Sequence, residues 1–258
     1  DVDTIYEIPL VLNQQNFDDV ITEKLGLTVG SHKENLHILE SSIGRYKNPK
    51  HSVTIAMCGK YNGLHDAYKS IIEAFIHAGI ENDARVNVKW VDTEKLELTG
   101  DMEGSFHNVD GILIPGGFGD RGIDGKIMAS RYARENEIPF FGICLGLQCA
   151  IIDFARNVCG MKNANSTEFS KNCGYPVIDL MQGQRGVKSK GATMRLGSYP
   201  CRVKPGTKAI HAYGKRNIHE RHRHRFEVNN KYRKKLEENG LVISGENTEL
   251  NLVEMIEI

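Results

Sequence analysis

The stretch Ile138-Pro139-Phe140-Phe141-Gly142-Ile143-Cys144-Leu145-Gly146 decides the fold. Its apolar first half reads as a buried strand, and residues 147–158 follow with the apolar spacing of a helix. A strand that runs into a helix through Gly-x-Cys-x-Gly is a nucleophile elbow. The backbone there turns too sharply for flanking side chains, and the turn lifts the central residue above the sheet. A thiol in that place stands at a helix N-terminus, whose dipole favours the thiolate. Cys144 is therefore expected to be a covalent nucleophile. The competing reading is a small buried cysteine in a tight turn, since short glycine-containing motifs recur by chance.

Working outward, the spacing predicts strands at 53–58, 86–91, 109–115 and 138–143. It predicts helices at 66–79, 123–136 and 145–158. Residues 59–63 read as a turn, and Gly79 as a helix stop. Strands alternating with helices imply an α/β fold with a mostly parallel, doubly wound sheet. Ligand-binding loops of such a sheet lie at the carboxyl ends of its strands, where both glycine-rich turns, 115–119 and 142–146, fall. Beyond about residue 165 the pattern changes. Strands at 193–203, 222–228, 241–244 and 250–256, with a helix at 229–239, predict an antiparallel extension. Upstream, residues 1–28 read as a short helical piece best developed over 16–25, and 29–51 as a linker holding one short helix.

Acidic and basic residues balance at 33 each, so no global field argues for a nucleic acid or a membrane surface as partner. The apolar runs fall well short of the roughly 20 residues that span a bilayer. The start, Asp1-Val2-Asp3-Thr4, has neither the basic flank nor the apolar core of a signal peptide. The six cysteines form no CxxC pair, which suits a reducing cytoplasm rather than a disulfide framework or a zinc site.

Acyl transfer by a thiol needs an oxyanion hole, a base and a pocket for the acyl donor. Pro115-Gly116-Gly117-Phe118-Gly119 offers exposed amides one strand before the elbow. By itself it could equally be a phosphate cradle or a plain turn. His219, His222 and His224, interleaved with Arg221, Arg223 and Arg225, raise a metal site or an RNA patch as readings. On a strand, 222 and 224 share one face and the arginines take the other. No Cys or acid at ligand spacing completes a metal set, and no aromatics interleave. The expectation is no metal and no nucleic acid, with Cys149, Cys159 and Cys173 as packing residues.

These motifs, together with 163–169 (Asn-Ala-Asn-Ser-Thr-Glu-Phe), 191–197 (Gly-Ala-Thr-Met-Arg-Leu-Gly) and 220–229 (Glu-Arg-His-Arg-His-Arg-Phe-Glu-Val-Asn), resemble the class I glutamine amidotransferase domain of CTP synthases. The resemblance covers essentially the whole chain. Residues 3–10 resemble the end of the preceding synthetase domain. It implies a flavodoxin-like amidotransferase domain at 52–258, a synthetase remnant at 1–28 and an interdomain linker at 29–51. It also implies that Cys144 attacks the side-chain amide of L-glutamine, with the amides of Gly117 and Leu145 as the oxyanion hole. Gly116, Leu145, Gly146, Leu147, Gln148, Glu168 and Arg225 would hold the substrate. An acid and a guanidinium suit the α-ammonium and α-carboxylate of glutamine. Arg121 would belong to a loop that responds to GTP. The domain itself would need no cofactor; ATP and Mg would serve the synthetase domain of the same chain, in a cytoplasmic homotetramer.

One departure stands out. The family places its catalytic His and Glu in a His-Pro-Glu motif that these 258 residues do not contain, and Val253-Glu254-Met255-Ile256-Glu257-Ile258 resembles the strand just before it. The expectation is a truncated chain or a tail that continues beyond these residues, the chain being inactive by itself for want of the imidazole. No Gly-x-x-x-x-Gly-Lys-Ser/Thr phosphate loop occurs either. Two other readings remain: another Cys-elbow γ-glutamyl hydrolase, and a non-catalytic module that binds glutamine or a partner chain.

Overall fold

The structure is a computed structural model that describes residues 1–28, 33–60, 65–181 and 194–258. It divides into two compact units, one of residues 1–54 and 65–87, the other of 55–64 and 88–258. Among the described residues no helix is long and apolar enough to cross a membrane.

The first unit is mainly helical: α1 (Ile8–Gln14), α2 (Phe17–Leu25), α3 (Lys33–Lys47) and α4 (Lys69–Glu81). The expected helix over 16–25 is α2, ended by Gly26 at φ +62°. The expected short helix within 29–51 is α3, which runs for 15 residues. Gly79 is no helix stop, because α4 continues to Glu81. It is a close-approach residue instead: a Cβ there would lie 2.4 Å from the carbonyl oxygen of Ala84, so the chain returns over a position only glycine can fill.

The second unit holds the sheets. β1 (His51–Gly59) and β2 (Ala84–Asp92) begin in the first unit and continue into it. With β3 (Gly111–Ile114) and β4 (Phe140–Gly142) they form a four-stranded sheet in the order β2-β1-β3-β4. β1 and β4 each pair with β3 in parallel. Two short helices unread in the sequence, α5 (Thr93–Thr99) and α6 (Met102–Phe106), join β2 to β3. Asp92 caps α5 by accepting from the amides of Glu94 and Lys95.

The expected helices are α7 (Ile123–Glu135) and α8 (Leu145–Asn157). α7 carries Ala129 and Ala133 into one core with Ile112 and Ile114 of β3 and Leu96 and Phe106 of the short helices. α8 carries Cys149, Ile151, Ile152 and Ala155 into a second. Truncating fully buried Ile151 or Ile152 to Ala would cost roughly 2–5 kcal/mol.

The antiparallel extension is two further sheets. One joins β5 (Ala164–Ser166), β6 (Tyr175–Leu180) and β9 (Phe226–Val228); β5 and β6 run parallel, β6 and β9 antiparallel. The other has the order β11-β10-β7-β8, from β7 (Arg195–Val203), β8 (Asn217–His224), β10 (Val242–Asn247) and β11 (Leu252–Glu257). Helices α9 (Lys208–Tyr213) and α10 (Asn230–Glu238) complete the unit. The single strand expected over 222–228 is two strands in different sheets, separated at Arg225. The expected turn at 59–63 and the motif at 191–197 fall partly outside the described residues.

Candidate functional site

Backbone sterics build the elbow. Cys144 caps α8 at φ +53°, ψ −98°, a conformation L-residues rarely hold and one that marks strained functional turns. The amide of Ile143 donates to the carbonyl of Ile114 at 2.9 Å, so the turn leaves directly from the β3 edge. A Cβ on Gly142 would sit 2.5 Å from the carbonyl carbon of Gly146, and one on Gly146 2.3 Å from the Ile114 oxygen. Both glycines are fixed by backbone crowding alone.

The Pro115–Gly119 turn lies against this elbow. A Cβ on Gly116 would be 3.6 Å from Cys144 Cβ, and one on Gly117 3.4 Å from Leu145 Cδ2. Lys60, just past the end of β1, donates from Nζ to the carbonyl of Phe118 at 2.6 Å and ties the turn down. Sequence reading passed over Lys60, although its place at the carboxyl end of a parallel strand was a usable signal.

Glu168 arrives from the turn after β5. Ser166 Oγ accepts the Glu168 amide at 3.1 Å, and Thr167 anchors the turn to Asp179 at 2.8 Å. Burial raises the Glu168 carboxyl above its ordinary range, against the lowering effect of a hydrogen bond from the Gly119 amide and of the Lys60 ammonium. This places the acid of the 163–169 motif at the glycine turn. It lies near the thiol too, because its charge acts on Cys144.

The helix N-terminus does not leave Cys144 a low-pKa thiol. Burial raises its pKa most, the Leu145 amide hydrogen bond lowers it, and the charges of Glu227 and Glu168 raise it further. The thiol keeps its proton at neutral pH until a base removes it. Gln148, on the first turn of α8, is buried and donates from Nε2 to the carbonyl of Phe226 at 3.1 Å. Arg225 therefore sits one residue from a backbone group held by the elbow helix. Its own carbonyl accepts from the Met181 amide at 3.1 Å.

The histidines divide as strand geometry predicts: His222 and His224 turn inward, Arg221 and Arg223 outward. His222 Nδ1 lies 2.8 Å from His224 Nε2. Among the described residues no group of three or more His, Cys, Asp or Glu is arranged for a metal ion. Cys149 and Cys159 are buried and Cys173 half-buried, and all six cysteines are free thiols. Outside the elbow, Phe118 is 51% exposed with the Arg223 guanidinium 5.7 Å from its ring centre. Arg121 Nε pairs with Glu94 Oε1 at 2.9 Å.

Comparison with known proteins gives the same frame. The profile of the family described as glutamine amidotransferase class-I matches residues 63–258. Over its full length the chain is 54% identical to a CTP synthase of Carboxydothermus hydrogenoformans and 50% identical to one of Methanocaldococcus jannaschii, covering 48% of each. It thus spans about half the length of these curated relatives. A solved structure of the glutaminase domain of Trypanosoma brucei CTPS with bound acivicin is similar with a TM-score of 0.74. That match is at 38% identity and covers 80% of each chain.

Proposed function

Because the chain belongs to the class-I glutamine amidotransferases, we propose that it is the glutamine-hydrolysing part of a cytoplasmic CTP synthase. Cys144 Sγ attacks the side-chain amide carbon of L-glutamine, and the C–N bond breaks to give a glutamyl thioester and ammonia. The amides of Gly117 and Leu145 receive the developing oxyanion. Gly116, residues 145–148, Glu168 and Arg225 hold the amino acid, with the acid on its α-ammonium and the guanidinium on its α-carboxylate. Water then releases glutamate from the thioester. The first step needs the thiol proton removed and the second needs water activated, so both depend on a base.

The observation that carries this reading is the convergence at Cys144. A strained nucleophile faces a glycine turn, and Glu168, from a separate element of the chain, is brought to the same place. The acivicin bound by the Trypanosoma brucei domain is a glutamine analogue, which supports glutamine as the ligand here. The relatives' name supports the fate of the ammonia, amination of UTP to CTP in the synthetase domain of the longer chain. The same relatives support ATP and Mg as requirements of that synthetase domain. Exposed Phe118 flanked by Arg223, with Arg121 on the same loop, supports GTP as an effector: a purine would stack on the ring and phosphates would meet guanidiniums. The assembled protein is proposed to be a homotetramer with the class-I domain at 52–258, following a synthetase remnant at 1–28 and a linker at 29–51.

The test is ammonia release from L-glutamine by the full-length protein. Cys144→Ser is expected to abolish it while CTP formation from free ammonia persists. Loss of both would make Cys144 structural and overturn the assignment.

A further inference from the structure

The second unit holds a closed ring of ionisable side chains that the proposed chemistry does not use. Arg195 on β7 donates from a terminal nitrogen to Glu227 Oε1 at 3.1 Å and forms a two-pronged pair with Glu254 on β11. His224 Nδ1 lies 2.9 Å from Glu227 Oε1, and His222 Nε2 3.4 Å from Glu254 Oε2, both out of line for a hydrogen bond. The two imidazoles close the ring on each other. The side chains of Arg195, Glu227 and Glu254 are 2%, 7% and 3% exposed. Such a network costs desolvation that an apolar core would avoid, so its position asks for a reason.

The reason lies at Arg225. It is the single residue between β8, which pairs with β7, and β9, which pairs with β6. The chain changes sheets there, and the direction in which residue 225 leaves the backbone depends on how its two flanks are held. His224 and Glu227 meet across it, spanning the bend in three residues. Arg195 is also the register partner of His224 and grips Glu227 from the neighbouring strand. The Phe226 carbonyl is held by Gln148 on the elbow helix. The ring holds the two flanks of the bend, and the Gln148 bond ties the bend to the helix that follows Cys144.

We propose that Arg195, His222, His224, Glu227 and Glu254 are positioning residues that fix the bend at Arg225, and through it the place where the α-carboxylate of the substrate amino acid binds beside Cys144. This rests on the reading of Arg225 as part of the glutamine pocket. The ring acts on substrate affinity, and replacing His224 leaves in place the Glu227 charge that acts on Cys144, so the reactivity of the thiol toward small electrophiles is expected to stay as it was.

The experiment compares two labelling rates of Cys144 in the full-length protein. Acivicin must be recognised as an amino acid, whereas iodoacetamide need not be. His224→Leu is expected to weaken acivicin labelling roughly tenfold, about 1.4 kcal/mol of lost binding, through the concentration dependence and not the limiting rate. The iodoacetamide rate is expected to stay within about twofold, a change below 0.5 kcal/mol. His224→Gln, which keeps a polar atom near Glu227, is expected to restore most of the loss. In an Arg225→Ala background, His224→Leu is expected to cost nothing more, because residues that act through one another are not additive. Both His224 variants are expected to fold, since the His224 side chain is only partly buried. An unchanged acivicin rate in His224→Leu, with Arg225→Ala impaired, would overturn this inference alone. An equal fall in both labelling rates would reduce the ring to a fold-stabilising element and overturn it as well. No loss in Arg225→Ala itself would instead sink the assignment of Arg225 to the pocket.

Discussion

The elbow at 142–146 and the ring around Arg195 lie in the same unit, yet they are held by opposite physics. The elbow is local. Two glycines and one strained cysteine are dictated by backbone atoms within a few residues and one neighbouring strand. The ring is long-range: its members come from β7, β8, β9 and β11 and meet only because two sheets have formed. A steric constraint can be read from a pentapeptide, whereas a pairing of charges has to be seen folded.

The sharpest way to break the comparison is at Gly146. A methyl there would overlap the Ile114 carbonyl at 2.3 Å, and backbone cannot step aside as a side chain can. Gly146→Ala is expected to cost more than about 4 kcal/mol, seen as a collapsed denaturation midpoint or no folded protein. Gly116→Ala, whose Cβ would make an ordinary 3.6 Å contact, is the matched control and is expected to fold.

In the ring, Arg195→Met keeps the volume and strands two buried carboxylates. The expected cost is about 3–5 kcal/mol by chemical denaturation, the penalty for an unpaired buried charge. A loss below about 1 kcal/mol would mean that the carboxylates find water or each other.

The smallest expected effect is one of pH. Burial first, then the charges of Arg195 and His224, depress the His222 pKa from 6.5 to about 4. The unfolded chain therefore takes up a proton below pH 6.5 that the folded chain refuses until about pH 4. Stability from this residue is present above pH 6.5 and is lost as pH falls toward 4, by about 3 kcal/mol at most. His222→Gln is expected to flatten that part of the stability–pH curve, and parallel curves would contradict the depressed pKa.

The same contrast explains what the sequence disclosed. The parallel strands, α7, α8 and the elbow were legible because apolar runs and glycines act locally. Glu168 and Arg225 were named only through a resemblance, since nothing in their own neighbourhood points to Cys144. β6 escaped notice because Pro176 argues against a strand flanked on both sides. The structure accommodates it where the register with β5 shifts, opposite Asn165. α5 escaped because seven residues give too short a period, although its Asp92 cap and Gly100 stop were both in view. The expectation of a thiolate-favouring helix end was incomplete for a related reason. The dipole is local, but the burial and the Glu227 and Glu168 charges that outweigh it are not.

The central claim is that a formed glutamine pocket surrounds a reactive Cys144. Its most direct test is the intact mass of the full-length protein before and after exposure to a glutamine-mimicking diazoketone, beside Cys144→Ser. The account predicts one adduct on the wild-type chain and none on the variant. No adduct on the wild type, or one that survives in Cys144→Ser, would contradict it.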